Sequence, residues 1–204
     1  MMSKLEFLYD FGSPNAYLVH KVVPGVEKLL GSSVIYSPIL LGGVFKSTGN
    51  VSPAISLAGI KNKGEYQGLE TERFVKKYGL GSSYVANPHF PVNTLLMMRI
   101  AASVQGEDLY VPFIECCFKS MWEEAKKMDD PEIVAEALQA AGLPAGELIA
   151  LAGEPDNKQK LIDLTGQTVA RGVFGAPSFF VGSELFFGKD KLRDAEEEFV
   201  SQNS

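Results

Sequence analysis

The segment Asp10-Phe11-Gly12-Ser13-Pro14-Asn15-Ala16-Tyr17 joins an apolar run to an amphipathic one, and its residue types suit an anion site. Ser13 is a good helix N-cap and Pro14 suits the first helical position. The N–H groups left over at such a helix start, with the helix dipole behind them, favour a bound negative charge. On the local sequence alone a plain cap is the favoured reading. No His, Lys or acid stands where it would obviously activate the Ser13 hydroxyl. Gly-x-Ser-x-Gly is absent, so a Ser–His–Asp hydrolase is poorly supported. A second candidate is Gly172-Val173-Phe174-Gly175-Ala176-Pro177-Ser178-Phe179-Phe180, where Pro177 stands at the mouth of a strand, an ordinary place for proline.

The elements that must position these residues follow from periodicity. Leu5 to Tyr9 is a compact apolar run. Ala16 to Leu30 carries apolar residues at helical spacing, with Pro24 expected to kink or divide it. Gly31-Ser32-Ser33 stops that helix, and Val34-Ile35-Tyr36 reads as a second strand, parallel to the first through a right-handed crossover. Residues 41–50 are rich in glycine and polar side chains and are expected to form a long functional loop. Helices are expected at 64–78, 92–104, 109–127, 131–141, 144–151 and 157–172. A hairpin turning at Gly182-Ser183 and a last helix over 191–200 close the chain. The fold class is therefore α/β, with β-α-β and α-β-β-α halves around an all-helical insertion. The expected division is 1–38 and 155–204 for the core and 39–154 for the insertion.

Composition narrows the function. With 204 residues the chain can bury a proper core without staples. Its 19 basic and 25 acidic side chains give a net charge of −6, and with no basic run a nucleic-acid partner is not expected. Cys116 and Cys117 are adjacent, a poor geometry for a bridge, and are expected to be small core residues. No metal set is evident. No stretch approaches 18 apolar residues, and the opening residues lack a signal-peptide pattern, so a soluble cytoplasmic chain is expected.

The order of elements resembles a thioredoxin-like chain, in which the proline matching Pro177 is cis and faces the active helix start. Redox members carry Cys-x-x-Cys there; this chain has Ser13-Pro14-Asn15-Ala16 and cannot cycle a dithiol at that place. Over nearly its whole length it resembles the 2-hydroxychromene-2-carboxylate isomerases and the kappa-class glutathione transferases. The resemblance rests on Tyr9 to Pro14 with Ala16-Tyr17-Leu18; Gly42 to Asn50; Asn62 to Tyr66; Phe90 to Leu95 with Met98-Arg99; Gly172 to Pro177; and Phe187 to Leu192.

That resemblance implies glutathione as cofactor, a small aromatic substrate and a homodimer. It implies that Ser13 hydrogen-bonds the glutathione sulfur and that Asn50 and Lys63 hold the tripeptide. The backbone of Ala176, before cis Pro177, pairs with the cysteinyl segment, and Asp190 with Lys189 beside it receives the γ-glutamyl end. For the second substrate it points toward Phe45, Asn87, His89, Asn93 and Arg99, and Lys46 is a further candidate for binding a carboxylate. Taken singly, most of these have plain alternatives: Asn50 a turn residue, Lys63 and Lys46 solvated charges, Asp190 a helix cap or first-turn acid, His89 an exposed turn residue, Arg99 a structural arginine. His20 is read as structural. Ala176, Gly12 and Asn15 are departures from the larger residues common in the family, expected to widen the space around the sulfur. The implied activity is isomerisation of 2-hydroxychromene-2-carboxylate, or a related aromatic catabolite, to trans-o-hydroxybenzylidenepyruvate by reversible thiolate addition. The rivals are a kappa-like transferase or peroxidase and a non-catalytic binding module; a disulfide oxidoreductase is the weakest.

Overall fold

The computed structural model describes residues 3–81 and 83–204. In chain order the elements are β1 (Leu5–Tyr9), α1 (Pro14–Leu30), β2 (Ile35–Pro38), α2 (Leu41–Thr48), α3 (Pro53–Ser56), α4 (Lys63–Lys77), α5 (Leu95–Ser103), α6 (Tyr110–Trp122), α7 (Pro131–Ala140), α8 (Ala145–Gly153), α9 (Pro155–Ala170), β3 (Ser178–Val181), β4 (Glu184–Phe187), a single 3₁₀ turn (Lys189–Lys191) and α10 (Leu192–Asn203). The strands form one sheet in the order β2-β1-β3-β4. β1 runs parallel to β2, with Glu6 opposite Ile35, and antiparallel to β3, with Leu5 opposite Val181.

β1 is a central strand covered on both faces, and its residues divide between them as the two-residue period requires. Leu5, Phe7 and Tyr9 enter the large buried cluster shared with α1, α6 and α10, whereas Leu8 joins Ile39, Val44, Val173 and Phe180 on the opposite face. The large cluster does not stop at the sheet. Phe118 of α6 lies 5.7 Å from Tyr9 and 4.9 Å from Phe11, ring centre to ring centre, so the central helices share the core of the sheet.

Two expectations change. Pro24 neither divides nor ends α1, which runs unbroken for 17 residues to Gly31. Pro24 sits on the exposed side of the helix, where water can take up the carbonyl it leaves unpaired. Residues 41–48 form helix α2, not a loop, because that stretch has a packing partner the local composition conceals. Val44 is fully buried, and Gly43 lets α2 approach α9: a Cβ there would stand 3.3 Å from Thr165 Cγ2. Smaller differences are shifts of ends. β2 runs Ile35–Pro38 instead of 34–36, and the last helix starts at Leu192 after the 3₁₀ turn. Among the described residues no helix is long and apolar enough to cross a membrane.

His20 fastens α1 to two neighbours. Its ring stacks on Phe118 at 4.9 Å, Nδ1 lies 2.9 Å from the Tyr36 hydroxyl, and Nε2 lies 2.7 Å from Glu115 Oε2. The hydrogen bond from His20, then the charges of His20 and Lys21, hold the Glu115 carboxyl down at about 2. Folded Glu115 therefore binds its proton less readily than unfolded Glu115. The stability it contributes is complete above the ordinary carboxylate pKa and is lost as pH falls toward about 2. Denaturant unfolding across that acid window is expected to show stability falling with pH, and Glu115→Gln to flatten the slope.

Candidate functional site

The Ser13 turn is built by three interactions. Ser13 Oγ accepts from Ala16 N at 3.1 Å, capping α1, and Pro14 occupies the first helical position. The same hydroxyl donates to the carbonyl of Ala176 at 3.1 Å, across the start of β3. Behind the turn, Trp122 Nε1 donates to the carbonyl of Phe11 at 2.8 Å. The peptide between Ala176 and Pro177 is cis, as expected, and so is that between Phe90 and Pro91.

This turn forms the floor of a cleft of about 840 Å³, within the roughly 300–1,000 Å³ range of small-molecule sites. Ser13, Phe45, Asn50, Lys63, Ala176, Lys189 and Asp190 all line it. Pro177 is buried next to Ala176, its carbonyl accepting from Gly188 N at 2.9 Å. Asn50 Nδ2 donates to Phe174 O at 2.8 Å, tying the end of α2 to the loop before β3. Lys189 is only 6% exposed; its ammonium lies 2.8 Å from Asp190 Oδ1 and 5.5 Å from the ring centre of Phe74 on α4. Asp190 lies in the 3₁₀ turn and does not cap α10.

Lys46, Asn87, His89, Asn93 and Arg99 are not brought to the cleft lining. Asn87 is buried, donating to the carbonyls of Met121 and Lys126 at 2.9 Å each and accepting from His89 N at 2.9 Å, which fixes a turn. Asn93 accepts from Leu95 N at 3.0 Å at the head of α5. His89 and Lys46 are exposed, and Arg99 is half-buried on α5. Gly12 lines the cleft and also packs behind the turn. A Cβ there would meet Asp10 Oδ1 and Thr94 Cγ2, each at 3.3 Å, so glycine admits a buried contact behind the turn.

Sequence reasoning missed Asp10. Its carboxylate is 1% exposed and accepts from Gly12 N at 2.8 Å, Leu41 N at 2.8 Å and Thr94 Oγ1 at 2.7 Å. Burial pushes its pKa up, against the pull of those three hydrogen bonds. The signal available was an Asp two residues before a glycine N–H, the spacing of an Asx turn. Also missed was the face that α4 turns to the cleft, with Tyr66, Gln67 and Thr71, opposite Tyr84 and Phe90. Both cysteines are buried on α6, where burial pushes each thiol up, so neither is a ready nucleophile.

Comparison with known proteins identifies the fold family. Residues 4–200 match the DSBA-like thioredoxin domain family. The chain belongs to that family. The chain is 26% identical over 192 residues to a 2-hydroxychromene-2-carboxylate isomerase of Sphingobium xenophagum, spanning 94% of this chain and 95% of that one. It is 23% identical over 200 residues to rat (Rattus norvegicus) glutathione S-transferase kappa 1, spanning 92% and 87%. A solved structure of a 2-hydroxychromene-2-carboxylate isomerase superposes with a TM-score of 0.82 at 23% identity, covering 97% of this chain and 94% of that one. This DSBA-like chain thus keeps the fold with a serine, not a cysteine, at the start of α1.

Trp122 is the one tryptophan, and it supports the turn from behind. Trp122→Phe leaves the Phe11 carbonyl without that donor, and the expected loss of stability is about 1–3 kcal/mol. Denaturant unfolding followed by circular dichroism measures it, since the substitution removes the fluorescent reporter.

Proposed function

We propose that this protein is a glutathione-dependent isomerase acting on 2-hydroxychromene-2-carboxylate or a related aromatic catabolite. The observation that carries the reading is the Ser13 hydroxyl, at the amino end of α1 and 3.1 Å from the Ala176 carbonyl, on the floor of a cleft that neither cysteine lines. Such a site offers a hydrogen-bond donor and a helix-end field for a sulfur brought from outside.

The residues present suit glutathione, a peptide charged at both ends. Lys63 is at the start of α4, and the Lys189–Asp190 pair is in the turn after β4; all three line the cleft. In this reading Lys63 and Asn50 hold the tripeptide, and the Ala176 backbone pairs with its cysteinyl segment. Asp190 takes the γ-glutamyl amine, with Lys189 beside it. When bound, glutathione supplies a thiolate that adds reversibly to a conjugated carbon of the substrate, so that a bond can rotate before the sulfur leaves. Ser13 donates to the sulfur and, with the α1 dipole, favours its charged form. Pro14 has no N–H and Ala16 N is taken by the cap, so the Asn15 N–H is the first-turn donor left for the anion. Phe45, Tyr84 and Phe90 supply apolar surface for an aromatic substrate. A cytoplasmic homodimer belongs to the same proposal and rests on the resemblance alone.

Ser13→Ala is expected to lower turnover roughly 100-fold, the scale of losing one donor at a developing charge, and to raise the pKa of the bound thiol by about one unit. A variant with unchanged turnover and thiol pKa excludes Ser13 from this role. Free thiol counted through turnover separates the activities. Isomerisation leaves it constant, whereas steady consumption would make the protein a kappa-like transferase or peroxidase. Calorimetry showing no glutathione binding at millimolar concentration would point to a non-catalytic module.

A further inference from the structure

The buried carboxylate behind the Ser13 turn joins the starts of three helices. Gly12 immediately precedes the α1 cap, Leu41 is the first residue of α2, and Thr94 stands at the N-cap position of α5. All three donate to Asp10, while the Asp10 backbone carbonyl accepts from Ser13 N at 3.0 Å. Neither α2 nor α5 has a side-chain cap of its own. Two of the three donors are backbone N–H groups, which can only donate, a set that suits an ionised carboxylate.

No cation answers this charge among the described residues. The ion pairs leave Asp10 out, and Lys46 on α2 and Arg99 on α5, the charged residues of those two helices, form none. On α1, Tyr17, His20 and Lys21 lie further along and engage Glu123, Tyr36 and Glu115. On β1, Glu6 pairs with Arg171, and the Tyr9 hydroxyl donates to Tyr110. The charged residues of the cleft lining are Lys63, Glu70 and Glu72 on α4 and the Lys189–Asp190 pair.

We infer that Asp10 is a positioning residue that also opposes the helix-end field: its carboxylate anchors the turn carrying the Ser13 hydroxyl and sets a fixed negative charge behind any thiolate meeting that hydroxyl. The inference rests on the proposed meeting of Ser13 with a thiol. Its chemical sense lies in reversibility. A helix start alone drives a thiol far toward thiolate, and nucleophilicity falls as thiol pKa falls, so the best attacking thiol has a pKa near the ambient pH. A carboxylate three residues before the cap holds the balance there, because two anions at one helix end disfavour each other.

The test puts a thiol into the protein itself. Ser13→Cys gives a titratable sulfur at the site, and the pH dependence of its alkylation by iodoacetamide gives its pKa without glutathione. Adding Asp10→Asn is expected to lower that pKa by about one unit, about a tenfold rise in the ratio of thiolate to thiol below the pKa. An unchanged value would make Asp10 structural only, and a raised value would mean that the turn had merely lost its position; either overturns the inference. The cleft charges are common to both proteins, so the difference reports Asp10. Should the double variant fail to fold, the reciprocal measurement uses Ser13→Cys alone. Its thiol is blocked with iodoacetamide, giving a neutral group, or with iodoacetate, giving a negative one. The Asp10 carboxyl, followed by carbon NMR, is expected to titrate higher beside the negative group, and equal values would overturn the inference. Glutathione appears in neither arm. Failure to bind it would sink the proposed function and leave these shifts readable.

Discussion

One hydroxyl group holds the site together. Ser13 Oγ joins the start of α1 to the carbonyl of Ala176, residues 163 apart in sequence. The helix end contributes the field, the loop before β3 contributes a peptide edge, and this hydrogen bond spans the distance between them. The sheet makes that closure possible, because β1 leads directly into the Ser13 turn and β3, its antiparallel neighbour, begins at Ser178 just beyond Ala176. Adjacent strands thus bring together two segments from opposite ends of the chain.

Much of this was legible locally. The strand at 5–9, the Ser13-Pro14 start of α1 and the hairpin around Gly182-Ser183 all carry signals within a few residues, and the structure keeps them. Pro177 was legible through resemblance, since nothing in the residues themselves specifies its isomer. The failures share a cause. Residues 41–48 look like a loop because their glycines and polar side chains have no local reason to be helical. Their reason lies at Thr165 and Asp10, on α9 and at the end of β1.

Asp10 is the sharper instance. Read locally, it is a turn aspartate, and its bond to Gly12 N agrees. Its other partners are 31 and 84 residues away, and only packing brings them in. A charge wholly out of water with no counter-ion is costly unless its oxygens are met by donors. Gly12 shows how tight that arrangement is, since even one added carbon would press on both Asp10 and Thr94. Of the residues expected for the second substrate, Lys46, Asn87, His89, Asn93 and Arg99 lie outside the lining. The resemblance pointed to them, but Asn87 and Asn93 spend their side chains closing turns.

The exchange of cysteine for serine at a thioredoxin-like helix start also has a geometric logic. A hydroxyl oxygen can accept one hydrogen bond while its hydrogen donates another. Ser13 uses both capacities, accepting from Ala16 N to cap the helix and donating to Ala176 O. In the proposed cycle only the donor changes partner, from the carbonyl to an arriving sulfur, by rotation about the Cβ–Oγ bond. The cap stays made, so the backbone need not move. A thiol is a weak donor and a weak acceptor and would serve both roles poorly. The helix start is therefore rigid before any ligand arrives, which is the condition for electrostatic preorganisation at a developing charge.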